Sequence, residues 1–161
     1  AADADLVLDG VIAQSAGQSA EFWAVRERIP EANRLIGSVS SHDISLPLGA
    51  LAGFIEAANV RIAAIGPFRV NCFGHVGDGN LHLAIQIAEG PSDANQRLIE
   101  ACVYEPLSGC KGAVSAEHGI GLEKKPWLPI SRSPEEIRLM KTLKTALDPK
   151  SILNPGKVVD P

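Results

Sequence analysis

The sequence has almost no methionine: Met140 is the single one in 161 residues, and position 1 is alanine. The absent initiator leaves processing or truncation open, and the motif order below favours a piece of something longer. A membrane-length apolar run is also missing. Ile44–Ile55, among the longest uncharged stretches, is about half of the ~20 residues a span needs, and Pro47, Gly49 and Gly53 interrupt it. No N-terminal stretch runs basic, then apolar, then small, so no secretory signal is expected. Lysine and arginine form no run interleaved with aromatics, and the formal net charge is −4. Nucleic acid is thereby excluded as the main partner. Cysteines are few and odd in number: Cys72, Cys102 and Cys110, without metal-type spacing. They read as buried thiols of a reducing compartment, and a cytoplasmic location is expected. No internal repeat, low-complexity tract or linker interrupts the chain.

What is present fits a folded domain. At 45% hydrophobic and 21% charged residues, the chain is unlike a disordered one. A single domain of this length buries about 70% of its unfolded surface. The pattern predicts a short strand over Gly10–Ser15, then a helix capped by Ser19 with Phe22, Val25 and Ile29 on one face. Pro30 ends or interrupts that helix. Val39–Ser45 reads as a strand. From Pro47, apolar residues Leu48, Leu51, Ile55, Ala58, Ile62 and Ile65 recur at helical spacing until Gly66-Pro67. Asp93 is placed to cap a further helix. Ser133-Pro134-Glu135-Glu136 carries the signature of a capping box and opens a last helix buried through Ile137, Met140, Leu143 and Leu147. Strands and helices mix without a regular βαβ period. The expected class is α+β, with helices on one face of a mostly antiparallel sheet.

Two segments carry chemistry. Arg69 to Ile87 reads RVNCFGHVGDGNLHLAIQI, two period-two halves around a GDGN turn. If Gly77–Asn80 form a four-residue loop, His75 opposes His82. Opposed Cβ atoms lie roughly 4.5–5.5 Å apart, close enough for two imidazoles to share a metal ion. The second segment, Ser115 to Gly121, reads SAEHGIG and sets Glu117 beside His118 among glycines that permit tight bends. Two histidines and a carboxylate are a ligand set of catalytic zinc and of non-haem iron. Alternatively, the histidines are polar residues on a solvated sheet face, and Glu117-His118 is a surface turn.

The strings GHVGDGNLH (Gly74–His82) and SAEHGIG stand in order before LDPK (Leu147–Lys150) and ILNPGK (Ile152–Lys157). Together they resemble the C-terminal substrate domain of FAD-linked oxidases of the vanillyl-alcohol-oxidase type. D-lactate dehydrogenases, D-2-hydroxyglutarate dehydrogenases and glycolate oxidase subunits belong to that group. The resemblance covers about Gly10 to Lys157, and so residues 1–161 are expected to be one substrate- and metal-binding domain of a larger flavoprotein. It implies that His75, His82 and Glu117 bind a divalent metal, zinc or manganese, and that His118 is the general base. It implies that Arg26, in the WAVRER stretch Trp23–Arg28, clamps a substrate carboxylate, and that Asn154 and Lys157 approach the cofactor. The FAD itself would be held mainly by an N-terminal domain outside this chain. The implied partners are a small D-2-hydroxy acid and an electron acceptor of the flavoprotein, quinone or cytochrome kind, with a homodimer as a further expectation.

The chain departs from the 2-hydroxyglutarate enzymes of the group, which resemble it but carry Thr near Pro30, Lys near Ser41 and Asn near Ala84. Loss of that lysine makes D-lactate or D-malate fit at least as well. His42, beside Ser41, is either its substitute or a sheet-edge histidine. Outside the flavoprotein class, the same residues suit a zinc hydrolase or a non-catalytic cap with a structural metal. A structural zinc site is normally closed by four protein ligands, and three candidates are evident.

Overall fold

The computed structural model describes residues 8–35, 39–86 and 93–161. The chain divides into two units, one ending at Ile36 and the other running from Gly37 to Pro161.

In the first unit, residues 8–15 form no strand. Their short apolar alternation has no described strand to pair with, and an isolated strand leaves its backbone polar groups unsatisfied. Helix α1 spans Ala16–Glu27. Its N-cap is Ser15, whose hydroxyl accepts the Gln18 N–H, rather than Ser19. Helix α2 follows over Ile29–Leu35, so Pro30 sits in a first turn, where its missing N–H costs nothing. Phe22 and Val25 stand exposed instead of forming a buried face.

The second unit holds β1 (Val39–Ser45), α3 (Leu51–Ile65), β2 (Arg69–Phe73), β3 (Asn80–Gln86), α4 (Asp93–Tyr104), α5 (Leu107–Cys110), α6 (Leu128–Ser131) and α7 (Pro134–Leu147). The three strands make an antiparallel sheet in the order β1-β3-β2. Ile87 and the side chain of Asp93 lie outside the described residues. Alternation sorts each strand onto two faces. Ile44, Leu81, Leu83 and Ile85 turn to one side and pack with Phe54, Ala58 and Ile62 of α3 and Ile99, Val103 and Tyr104 of α4. Asp43, His82 and Phe73 stand side by side on the other face. The expected α+β class, with helices on one sheet face, is what the chain adopts.

Several expectations change in detail. The helical run Leu48–Ile65 is long and apolar enough to cross a membrane by length and composition. Pro47 precedes it instead of breaking it, and it serves as the core helix through Phe54, Ala58 and Ile62. Cys72 is exposed, and Cys102 and Cys110 are half-buried; all three are free thiols. The α7 capping box forms as expected, with Ser133 and Glu136 each bonded to the other's backbone N–H. Its leucines do not fulfil their expected burial: Leu143 and Leu147 are exposed.

His42 shares the core face, not the face of Asp43, and is 3% exposed. Its ring bonds Tyr104 Oη at 3.0 Å and Ser40 Oγ at 2.9 Å. It is the sheet-edge histidine of the two readings, on edge strand β1, but buried there and turned away from any ligand on the opposite face. Burial, helped by the Lys124 charge, pushes its pKa down to about 4. The unfolded chain therefore binds a proton here that the folded chain refuses. Stability is expected to fall as pH drops from 6.5 towards 4, by roughly 3 kcal/mol for this group. Urea titrations at a series of pH values check this, and a His42→Asn variant should show a shallower decline over that window.

A candidate metal and proton-transfer site

The site grows from the hairpin β2–β3 and a loop that crosses its open face. The connection is longer than GDGN alone: Phe73 pairs with His82, and residues 74–79 make the turn. A one-turn 3-10 segment, Val76–Asp78, ends at Gly79 in the left-handed region with φ +74°. A Cβ at Gly79 would lie 1.9 Å from the Leu46 carbonyl oxygen, so only glycine fits both the backbone angle and the approach. His75 therefore does not oppose His82 across a ladder; it stands on the turn. The slip is two residues, an even number, so His82 keeps its predicted face. The two imidazoles remain neighbours, with ring centroids 6.0 Å apart.

The second segment reaches the hairpin by way of β1. Ala113 pairs with Ser45 through two backbone bonds of 2.8 and 3.1 Å. Gly112 permits that crossing, because a Cβ there would meet Leu46 at 2.9 Å and the Ser45 carbonyl oxygen at 3.0 Å. Val114 then buries its side chain, and the chain turns onto the site face.

There Glu117 Oε1 lies 3.4 Å from His75 Nε2 and accepts a 2.9 Å bond from Asn80 Nδ2. The donor atoms of His75, His82 and Glu117 all fall within 4.8 Å of one another. His118 stacks on His82 at a centroid distance of 5.4 Å, with 65% of its side chain exposed. His82 is more enclosed, with Phe73 on its other side at 5.2 Å. Burial depresses its pKa, against the opposing pull of Asp43 and Glu117, a shift towards the neutral form that a metal ligand takes. His75 and Glu117 are about half exposed, which leaves one side of the cluster open. Two nitrogens and one carboxylate oxygen with an open side suit a catalytic divalent ion.

Asp43 is the residue that sequence reasoning missed. It is 2% exposed and sits opposite His82 on β1. Burial pushes its carboxyl up, but the backbone N–H groups of His118 and Glu117 and the Lys124 ammonium outweigh that, and its pKa lies below the usual carboxylate value. Lys124 is itself shifted down by burial, an effect its bond to Asp43 only partly offsets. A single acidic residue in an alternating strand carries no local signal of such a role.

The remaining expected site residues belong to other elements of the chain. Arg26 is on α1 in the first unit, its guanidinium over the Trp23 ring at 5.6 Å. Asn154 and Lys157 are on the C-terminal tail, where Lys157 Nζ donates to Asn154 Oδ1 at 3.2 Å. That tail is tied to the end of the loop, since Val158 N–H donates to the Gly121 carbonyl at 2.9 Å.

The family model for the C-terminal domain of FAD linked oxidases matches residues 1–158. The chain belongs to this family. Among its relatives is a mitochondrial D-2-hydroxyglutarate dehydrogenase of Arabidopsis thaliana, 45% identical over 96% of this chain and 27% of the relative. The mitochondrial D-2-hydroxyglutarate dehydrogenase of Bos taurus is 42% identical over 98% of this chain and 28% of its own length. A D-2-hydroxyglutarate–pyruvate transhydrogenase of Saccharomyces cerevisiae is 38% identical over 98% of this chain and 33% of its own. The chain thus spans about a third or less of the relatives it matches. Membership of the FAD-linked oxidase family bears out the resemblance drawn from GHVGDGNLH and SAEHGIG. The expected cytoplasmic location is overturned, because the plant and animal relatives are mitochondrial proteins.

Proposed function

We propose that this chain is the substrate-binding, metal-holding domain of a larger FAD-dependent dehydrogenase that oxidises a D-2-hydroxy acid to the 2-oxo acid. One observation carries the reading: the donors of His75, His82 and Glu117 converge with His118 stacked at their edge, inside a family defined by its flavin. His75, His82 and Glu117 would hold a divalent ion, zinc or manganese. Such an ion supplies Lewis acidity towards an oxygen, and the flavin supplies a hydride acceptor.

The rest of the work falls to side chains. His118, the most exposed imidazole of the cluster, takes the hydroxyl proton of the substrate. Phe73 and Ala84 give the floor beside His82 an apolar character. Arg26 is the proposed partner of the substrate carboxylate. Asn154 and Lys157 present an amide and an ammonium on an exposed tail, donor groups suited to a flavin's carbonyl oxygens. The exposed leucines of α7 offer apolar surface for a flavin domain to cover.

On substrate size, Ser41 and Ala84 are direct partners one row from Asp43 and His82 on the site face. Neither carries the lysine or asparagine of the 2-hydroxyglutarate enzymes. D-lactate and D-malate therefore stand beside D-2-hydroxyglutarate, the compound named for the relatives, as candidates. Those relatives favour a mitochondrial setting.

The decisive experiment screens the flavin-loaded, full-length protein against D- and L-2-hydroxy acids, with and without chelator. Turnover is expected for D-acids only, lost on chelation and restored by Zn²⁺ or Mn²⁺. Turnover confined to L-acids contradicts the reading. So does hydrolysis of an ester or amide by this chain without flavin, which would place it among zinc hydrolases.

A further inference from the structure

Asp43 has no part in the roles above, yet it touches both segments of the site. Its Oδ2 accepts the backbone N–H groups of Ala116, Glu117 and His118 at 3.1, 2.9 and 2.8 Å, and the Ser115 hydroxyl at 3.3 Å. Lys124 Nζ stands 3.6 Å from that same oxygen and donates to the Asp43 carbonyl at 2.9 Å. The other oxygen, Oδ1, faces His82 Nδ1 and Asn80 Nδ2, each at 3.5 Å.

We infer that Asp43 is the positioning residue of this site: Oδ2 gathers three successive loop N–H groups and so sets Glu117 and His118 beside His82, while Oδ1 holds the His82 proton on Nδ1 and leaves Nε2 with the lone pair. The inference deepens the metal-site reading proposed above and rests on it.

Three successive N–H groups aimed at one oxygen are a backbone concavity built for an anion. Here the anion comes from the protein itself. Because Asp43 is fixed in a strand opposite His82, binding the loop also fixes the loop relative to the histidine. The second half follows from ligand chemistry. A metal-binding imidazole offers one nitrogen and donates from the other, and a carboxylate at the donor side selects the tautomer.

Asn80 extends the arrangement. Its amide nitrogen reaches both Asp43 and Glu117, while its buried Oδ1 finds no partner among the described residues. A buried amide oxygen is left unpaired so that the N–H groups can serve two carboxylates. Asp43 is not itself a ligand, although Asp43, His82 and His118 also place donors within 4.8 Å of one another. An ion bound through Oδ2 would sit beside the Lys124 ammonium, and Oδ2 already accepts four protein donors.

The test begins with the unsubstituted chain, ¹⁵N-labelled and metal-free. Long-range ¹H–¹⁵N correlation spectra identify the protonated nitrogen of each ring. His82 is expected as the Nδ1–H tautomer, and a His82 protonated on Nε2 overturns the inference. Asp43→Asn keeps the shape but can present an N–H to His82. It is expected to move His82 towards Nε2–H and to weaken Zn²⁺ binding, by competition titration, about 10–100-fold, the range for an outer-shell partner. Affinity within twofold of the parent overturns the inference. If Asp43→Asn unfolds because Lys124 loses its counter-charge, Asp43→Asn with Lys124→Met removes both charges and is read in the same way. A parent chain that binds no Zn²⁺ sinks the metal reading, whereas the tautomer in the metal-free chain judges Asp43 alone.

Discussion

Replacing His118 with alanine lowers the kcat of the flavin-loaded protein by about 10²–10⁴-fold, the contribution of a general base, and leaves bound metal at the parent ratio. The separation of those two effects follows from the way His118 is held. Its backbone N–H, not its ring, binds Asp43 at 2.8 Å, so alanine keeps the loop bond. The ring is 65% exposed and stacks on His82 without filling the core, so its removal leaves little cavity. His118 Nδ1 lies 4.0 Å from Asp43 Oδ2, which turns the other ring nitrogen away from the carboxylate. An imidazole held this way is placed to collect a proton and release it to solvent. Steady-state kinetics with metal analysis of the same samples check the prediction. An unchanged kcat removes His118 from the reaction.

Much of this arrangement was legible in the residue pattern, and the failures have physical causes. Val39–Ser45 forms the strand it was read as, and the α7 capping box forms because its signal is local, a cap with its reciprocal glutamate. The hairpin was read with a loop two residues too short, because GDGN is by itself a sufficient turn. The 3-10 turn that lengthens it depends on Gly79 seating against Leu46, a contact between distant residues. The error cost little, since an even slip preserves the face. Gly10–Ser15 failed because a strand needs a partner and alternation does not show whether one exists. The exposed Leu143 and Leu147 failed for a related reason: helical periodicity marks an apolar face but not what covers it. Asp43 was invisible because all its partners, from Asn80 to Lys124, lie 37 to 81 residues away. The motifs named the groups meant to meet a metal and a proton, and the fold supplied the carboxylate that brings them together.

His82→Ala is expected to remove metal and turnover together, the opposite pattern to His118→Ala. His82 sits on the central strand, paired to Asp43 on one side and Phe73 on the other, and it belongs to both sets of converging donors. Its loss leaves His75 and Glu117, both about half exposed, with no strand-borne ligand between them. The fall in Zn²⁺ affinity should exceed the roughly 10–100-fold typical of an outer-shell change, because a ligand itself is gone. Turnover should fall in proportion to bound metal, so that excess Zn²⁺ or Mn²⁺ restores part of it. The loop itself should survive, since Asp43 keeps its three backbone donors and Lys124. His82→Gln, which refills most of the side-chain volume, separates a packing defect from a missing ligand. If glutamine restores stability but not metal, the ligand role stands. If either variant turns over normally after exhaustive chelation, the metal has no part in the reaction, and His118 must act on the substrate without it.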